Sequence, residues 1–479
     1  MKRVVILGAG VAGLAAADRL LELGGCDVTM FEAEPGVGGL AATVVRDGVA
    51  TDLGPHRIHT ELSEVRALLP DLVGDRLLRV RRSSRMLLDG HWIAYPLRAG
   101  QILKTLGFGT VLRFGTSMLA ARASGFFARQ AGSLFYRPRA SGTFEDAMKR
   151  AFGAAAYRKV FGPYARKVWR VEPSQLSAEI VRVRLPQRRI GAIFGRALRR
   201  GLFRSAGPLR EFLYVRGGIG QLCERLADQI RRRGGRIVLQ SPVVEMKIGS
   251  TGICAVAARQ SGKTIWLDVD AVISTVPLPV LGAMMPVGEA AVRAALSSLE
   301  YLSIILVVLV AAKERIGPDQ WLYFPQESPL PTRACEPRNF DSSLAPPGQT
   351  CLCCEITARR SESLWNTPDD KLAEQVEHEM AATGLFARQE IISRFVVRKD
   401  WAYPIYHLEF EKTLATIWPF LARIPNLVSV GRQGLFNHNN IDHSLVMGRR
   451  AAEAVATSPS AAHQWYDSLF QFAHFRILD

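Results

Sequence analysis

The chain has 479 residues, room for two or three domains with sizeable cores, and its charged and apolar fractions exclude a disordered or fibrous protein. Lys and Arg number 61 against 44 Asp and Glu, and the net charge of +17 asks for an acidic partner: nucleic acid, a phosphorylated substrate or an anionic membrane surface. No helix-turn-helix, RRM or zinc-finger pattern is present, so nucleic acid is not an expected partner, and no segment reaches the roughly 18 apolar residues of a membrane span.

Residues 3–7 are a short apolar run and read as a buried parallel strand. Gly8, Gly10 and Gly13 follow at once, residues 14–23 have helical character, and residues 26–31 read as a second strand closed by Glu32. This is the dinucleotide-binding fingerprint in its required strand-helix-strand context. Gly8 allows the tight turn, Gly10 lets the backbone approach a pyrophosphate, and Gly13 lets the helix pack close to the strand. The helix N-terminus offers free N–H groups and a partial positive charge to the phosphates. Glu32 is placed to accept from both ribose hydroxyls and would repel a 2′-phosphate. A second glycine cluster, Gly36, Gly38 and Gly39 followed by Leu40, comes directly after Glu32. An NAD site does not need it; an FAD site of the glutathione-reductase-like group does, because there the chain runs back along the pyrophosphate. Asp18 and Arg19 interrupt the N-terminal apolar stretch, and the fingerprint needs it, so it is read as retained rather than as a signal peptide.

Gly8-Ala-Gly10-Val-Ala-Gly13-Leu14, Phe31-Glu32-Ala33, Gly38-Gly39 and Asp52-Leu-Gly54-Pro55-His56 together resemble the FAD-dependent amine oxidase, protoporphyrinogen oxidase and phytoene desaturase superfamily. The resemblance implies an α/β protein, α+β overall: a Rossmann-type FAD-binding domain with an inserted substrate domain of mixed sheet and helices. It implies a discontinuous FAD domain from residues 1–100, 205–285 and 425–479, and a substrate domain from 101–204 and 286–424 with a helical basic insertion. Gly54-Pro55 forces a defined turn, which in this superfamily approaches the flavin, and so His56, Arg57 and His59 become site candidates, His59 equally readable as a structural histidine.

Further along, residues 61–69 read as a helix and 79–93 as a hairpin turning at Asp89-Gly90. Residues 102–132 mix apolar and aromatic residues with Lys104, Arg113, Arg122 and Arg129 and no acid. They suit a pair of core helices or, alternatively, amphipathic helices lying on a membrane; the core is the expectation. Residues 182–204 are a second acid-free, arginine-rich stretch and a candidate phosphate or membrane contact. Thr143 or Ser141 caps a helix reaching residue 152. Residues 221–233 are a helix, 236–239 and 241–246 strands, with Val243 where the superfamily sets a backbone amide against adenine. Strands recur at 301–312, 321–325, 349–357 and 392–399 and suggest a mixed or antiparallel sheet. Cys351, Cys353 and Cys354 crowd one of them without paired ligands nearby, and read as strand residues in a reducing cytoplasm, with no metal site.

The stretch from Gly431 and Arg432 to Ile441 and Asp442 is the second strong signal. A glycine at a strand end lets the chain meet the cofactor, and the N-terminus of the following helix can face the flavin edge. These four residues, with Gly54, Pro55 and Val243, complete the expected FAD ligands. No cysteine lies in the stretch, so the FAD is expected to be non-covalent.

Within the superfamily, Asp52 to Arg57 looks like the protoporphyrinogen oxidase branch. His59-Thr60, Lys167-Val-Trp169, Arg184-Leu-Pro186, Tyr403-Pro404 and Ile441-Asp442 also resemble UDP-galactopyranose mutase, in which arginines grip a diphosphate and no net oxidation occurs. Arg170 departs from that pattern, which expects glycine after the tryptophan. His56, Arg57, Arg333 and Tyr403 are the expected catalytic group, the arginines gripping an anionic substrate. The expected function is FAD-dependent hydride removal from a C–C or C–N bond of a hydrophobic or anionic small molecule, a phosphorylated one included. A redox-neutral sugar-nucleotide mutase and a flavin-bearing binding protein are the alternatives. The protein is expected to be cytoplasmic, with peripheral contact to an anionic membrane surface through residues 102–132 and 187–204.

Overall fold

Lys2–Leu7 is the central strand of a five-stranded sheet. Ala271–Ser274 pairs with it on one side and Cys26–Phe31 on the other, while Leu427–Ser429 and Arg236–Val238 form the edges, and every pairing is parallel. Val4 to Leu7 are all buried, as a strand covered on both faces requires. The structure is a computed structural model and describes residues 1–95, 99–130, 142–184, 211–458, 460–475 and 477.

Two helices, Val11–Leu23 and Ile441–Thr457, pack together over this sheet. They cross so closely that a Cβ added at Gly448 would lie 2.1 Å from the carbonyl oxygen of Ala12. The helix Gly220–Arg232 lies against the first of them. A meander of Val243–Gly249, Gly252–Gln260 and Lys263–Asp268 sits beside the sheet and leads back into it at Ala271.

The second large sheet has seven strands, in the order Ile391–Pro404, Tyr301–Ala311, Thr350–Ala358, Arg333–Cys335, Trp321–Tyr323, Ser84–Leu88, His91–Ala94. All its pairings are antiparallel except Trp321–Tyr323 with Ser84–Leu88, so the sheet is mixed. Tyr301–Ala311, buried along its whole length, is the apolar run that is too short to cross a membrane. The hairpin of residues 84–94 turns at Asp89 and Gly90, both at positive φ, the pattern of a type I′ turn. It falls inside residues 1–100, assigned from sequence to the FAD domain, yet it hydrogen-bonds to the second sheet. The division therefore comes earlier than residue 100 by hydrogen bonding: Trp321–Tyr323 would otherwise be an unpaired edge, and Met86, Leu88 and Ile93 are buried there.

Several helices have no counterpart in the sequence reading, two of them in the C-terminal third. Phe410–Ala422 contains Pro419, which masks a helical pattern, and Ala461–Asp467 follows the helix that was expected to be last. Thr143 caps Phe144–Phe152, its hydroxyl accepting from the Asp146 N–H at 3.0 Å. Part of the acid-free stretch forms the helices Ala99–Leu106 and Phe108–Gln130. The expectation of core helices meets a contrary observation there: Phe108, Leu112 and Leu119 are exposed, and their spacing puts them on one helix face. Residues 187–204 lie outside the described residues. Among the described residues no helix is long and apolar enough to cross a membrane.

The helix crossing gives a test with a definite sign. Gly448→Ala should gain about 1 kcal/mol from helix propensity alone. The 2.1 Å approach to Ala12 instead predicts a loss of about 1–3 kcal/mol, read as a lowered urea midpoint. A raised midpoint would contradict the crossing.

Candidate functional site

The three fingerprint glycines have different reasons to be glycine. Gly8 has φ +96°, and a Cβ on it would meet the Thr275 hydroxyl at 2.3 Å. A Cβ on Gly13 would lie 2.1 Å from the Gly8 carbonyl oxygen. Gly10 has ordinary extended backbone at φ −74°, and the nearest atom to its added Cβ is the Gly38 carbonyl oxygen at 4.0 Å. Nothing in the protein requires a glycine at that position. The vacant volume lies at the N-terminus of Val11–Leu23, where N–H groups and the helix dipole favour an anion. The pyrophosphate of a dinucleotide would fit there.

The second glycine cluster folds back onto the first. Gly38 donates its N–H to Ala9 at 2.8 Å and bridges Gly10, and Gly38 and Gly39 are both at positive φ, with Leu40 in the short turn after them. Glu32 is buried; its Oε2 accepts from the Ala9 N–H at 2.6 Å and its Oε1 from the Glu34 N–H at 2.9 Å. Both oxygens are thereby aimed and keep lone pairs for hydroxyl donors. Ser241 donates its N–H to the Glu32 carbonyl at 2.8 Å, which brings Val243 close to this end of the cradle. Gly431, at φ +85°, would put a Cβ 3.0 Å from that of Ala12. Ile441 and Asp442 form the first turn of Ile441–Thr457, where the Asn440 N–H donates to His443 Nδ1 at 3.2 Å. Residues from three separated parts of the chain thus converge on one helix N-terminus, and they fit FAD.

The substrate side starts from Asp52. Its carboxylate is buried and accepts from the Thr43 hydroxyl at 2.6 Å, the Tyr214 hydroxyl at 2.6 Å and the Ile219 N–H at 3.0 Å. Burial pushes its pKa up to about 6, against the pull of those three donors. The following turn at Gly54, φ +108°, comes so close to the second sheet that a Cβ would be 3.0 Å from Glu355 Oε2. Glu355 Oε2 accepts from Arg333 Nε at 3.0 Å and Nη2 at 2.8 Å, and the same Nη2 donates to the Tyr403 hydroxyl at 2.9 Å. Arg333 and Glu355 are direct cross-strand partners, so the sheet register sets this pair.

Two more guanidinium groups flank Tyr403, that of Arg432 at 5.3 Å and that of Arg184 at 5.5 Å from the ring centre. Arg432 is anchored by the Asn439 carbonyl at 2.6 Å. Burial lowers its pKa, and the charges of Arg184 and Arg333 act in the same sense. Arg184 also lies over Trp169 at 5.2 Å, and its buried Nε has no partner. His56 faces this cluster. Burial first, then Arg432 and Arg333, push its pKa down to about 3, and its buried Nδ1 is unpartnered. His438 is held neutral in the same way by burial, Arg184 and Arg432; its Nε2 is likewise unpartnered, and its ring meets Trp169 at 5.3 Å and Tyr406 at 4.6 Å. Lys167, two residues before Trp169, is buried with its pKa pushed down to about 7, and gives its donors to the carbonyls of Phe324, Gln326 and Pro329. It braces a loop and has no free proton to direct at the site.

The structure brings His56, Arg333, Tyr403 and Arg432 together. Arg57 stands over the Trp321 ring at 5.0 Å instead. The sequence reading missed Glu355, although it is the sole acid in the apolar strand Thr350–Ala358 and so had to find a cation. It also missed His438, which is hidden in a polar loop. The ensemble carries three guanidinium groups against one carboxylate, with two neutral imidazoles. Such a site attracts anions and repels ammonium groups.

The family described as flavin containing amine oxidoreductase matches residues 11–456. Protoporphyrinogen oxidase 2, chloroplastic/mitochondrial, of Arabidopsis thaliana is 45% identical over 71 residues, which are 15% of this chain and 14% of that protein. The zeta-carotene-forming phytoene desaturase of Myxococcus xanthus is 50% identical over 54 residues, 11% of this chain and 10% of that protein. The chain thus matches only about a seventh of the length of the first of these relatives, and a tenth of the second. Among solved structures, that of reduced UDP-galactopyranose mutase superposes with a TM-score of 0.79 at 22% identity, covering 96% of each chain. At that identity the likeness is one of fold.

Gly10 provides the test of the cradle. Gly10→Val should fold with unchanged far-ultraviolet dichroism yet lose flavin, read as the 450 nm absorbance per chain, because its side chain would fill the vacant volume and nothing else. Full flavin occupancy in this variant would remove the pyrophosphate from that position.

Proposed function

The chain belongs to the flavin-containing amine oxidoreductase family, and from that membership we propose an FAD-dependent oxidoreductase that removes a hydride from an anionic substrate. The supporting observation is the convergence of Arg184, Arg333 and Arg432 on Tyr403, next to the turn at Gly54 and Pro55. Bound non-covalently, FAD would supply the hydride acceptor. The protein's own part is binding and orientation. Glu355 fixes Arg333, so its remaining donors point in a set direction, and Tyr403 separates the three cations. His56 and His438, neutral by burial, serve as hydrogen-bonding groups rather than as charged acids at neutral pH. A protonated amine would be repelled by this excess positive charge. The site therefore favours oxidation of a C–C bond, or of a C–N bond in a substrate that carries acid groups. On this reading, residues from 1–100 other than the 84–94 hairpin, with 205–285 and 425–479, bind FAD, and most of the remainder closes over the substrate.

A redox-neutral rearrangement of a sugar nucleotide is the second reading, because three clustered arginines also suit a diphosphate. The two differ in electron balance. An oxidoreductase reduces one equivalent of acceptor per product and works from the oxidised holoenzyme. We expect anaerobic mixing with acidic hydrophobic substrates to bleach the 450 nm band in proportion to product. Turnover of a UDP-sugar by the dithionite-reduced protein, with no acceptor consumed, would overturn the proposal in favour of the second reading.

We propose in addition that the helices Ala99–Leu106 and Phe108–Gln130 attach the protein reversibly to anionic bilayers. Leu103, Phe108, Leu112 and Leu119 are exposed beside Lys104 and Arg113, and each basic residue near such a surface contributes roughly 1 kcal/mol. Flotation with vesicles containing phosphatidylglycerol should show binding that weakens with salt and is lost in Phe108→Asp/Leu112→Asp. Binding unchanged by the double substitution would place the contact elsewhere.

A further inference from the structure

Arg82 lies in the turn before the strand Ser84–Leu88, outside every group discussed so far. Its Nε and Nη2 are buried and have no hydrogen-bond partner, and the buried hydroxyl of Ser84 has none either. Asp319, the acid that serves the neighbouring residues, is committed to the Ser83 hydroxyl at 2.7 Å and Arg85 Nε at 2.5 Å. Desolvated guanidinium donors without an acceptor are costly, and two orphaned groups two residues apart need a common explanation.

Their neighbours supply it. The Arg82 guanidinium lies 5.9 Å from the Tyr95 ring centre, and Tyr95 lies 4.9 Å from Tyr323. Tyr323 is the cross-strand partner of Arg333, and the half-buried Tyr164 feels Arg333, Tyr323 and Tyr95 together. A wall of three tyrosines therefore runs from Arg333 to Arg82 across the strands at the hairpin end of the second sheet. Arg333 stands two strands across and two residues of register along from Ser84, roughly 12 Å at the usual spacings.

We propose that Arg82 and Ser84 form a second oxyanion subsite at the far end of this wall, and that the substrate bridges the two ends with two acid groups about 12 Å apart and a flat or apolar body between them. The inference rests on the reading that Arg184, Arg333 and Arg432 hold one anionic end. A carboxylate or phosphate oxygen would accept from Nε and Nη2 as a fork and from the Ser84 hydroxyl, which satisfies all three orphaned atoms.

Calorimetric titration of the holoenzyme with undecanedioate and undecanoate tests this, since the extended diacid spans about 12 Å, the required distance. The diacid should bind about tenfold more tightly than the monoacid. Arg82→Gln should abolish that advantage and leave undecanoate binding unchanged, and Ser84→Ala should reduce it. An equal affinity for the two ligands in the wild type, or an advantage that survives both Arg82→Gln and Ser84→Ala, would overturn the proposal. Should Arg82→Gln fail to fold, Arg82→Lys, which keeps the charge and loses the fork, is read in its place with the same expectation. Arg432→Met separates the two claims: it should weaken both ligands, and if it weakens neither, the three-arginine reading fails while the Arg82 subsite stands on its own titration.

Discussion

The close approach of backbone at Gly8, Gly10, Gly13 and Gly38 is the constraint on which the structure depends. It leaves a helix N-terminus open, with aligned N–H groups and no side chain in front of it. Everything that surrounds it is arranged to reach that point. The chain returns at Gly38, Thr275 packs beneath Gly8, and Gly431 and Gly448 bring the last long helix against Ala12. Distant parts of the sequence can meet there because each arrives as a strand of one parallel sheet, whose C-terminal ends share one edge.

Electrostatics then decides what the rest of the site accepts. Burying Arg333 and Arg432 is costly unless partners compensate. Glu355 compensates the first and backbone carbonyls the second, while Arg184 relies on two aromatic rings. The remaining positive field shows in the imidazoles: His56 and His438 are held neutral by burial and by these same arginines. Asp52 shows the converse, a carboxylate kept in an apolar interior by three donors, which fixes the turn carrying Gly54 toward Glu355. The two halves of the molecule are thus joined at the site by polar contacts of known direction rather than by apolar packing alone.

The parts legible in the sequence were those with a local signal. The glycine spacing, the short apolar strands and the acid at residue 32 depend on neighbours a few residues away, and the structure realises them within a residue or two. The seven-stranded sheet was foreseen as strands, apart from Arg333–Cys335, but not as an order, because pairing of Trp321–Tyr323 with a hairpin from residues 84–94 is a contact across more than 200 residues. The helix Phe410–Ala422 was hidden by Pro419, and Glu355 by the cysteines before it. Arg82 carried no signal at all in a basic chain; it stands out only when its donors are seen to lack acceptors.

The most direct measurement of the central claim is calorimetric binding of FAD, FMN and riboflavin to the flavin-stripped protein. In this account the pyrophosphate at Gly10 and the ribose at Glu32 supply most of the affinity, since the structure prepares donors and acceptors for both. FAD should therefore bind at least about a hundredfold more tightly than FMN, a difference of roughly 2.7 kcal/mol, and the preference should shrink in Glu32→Gln. Comparable affinities for FAD and FMN would contradict the account, because the glycine cradle would then hold nothing that FMN lacks.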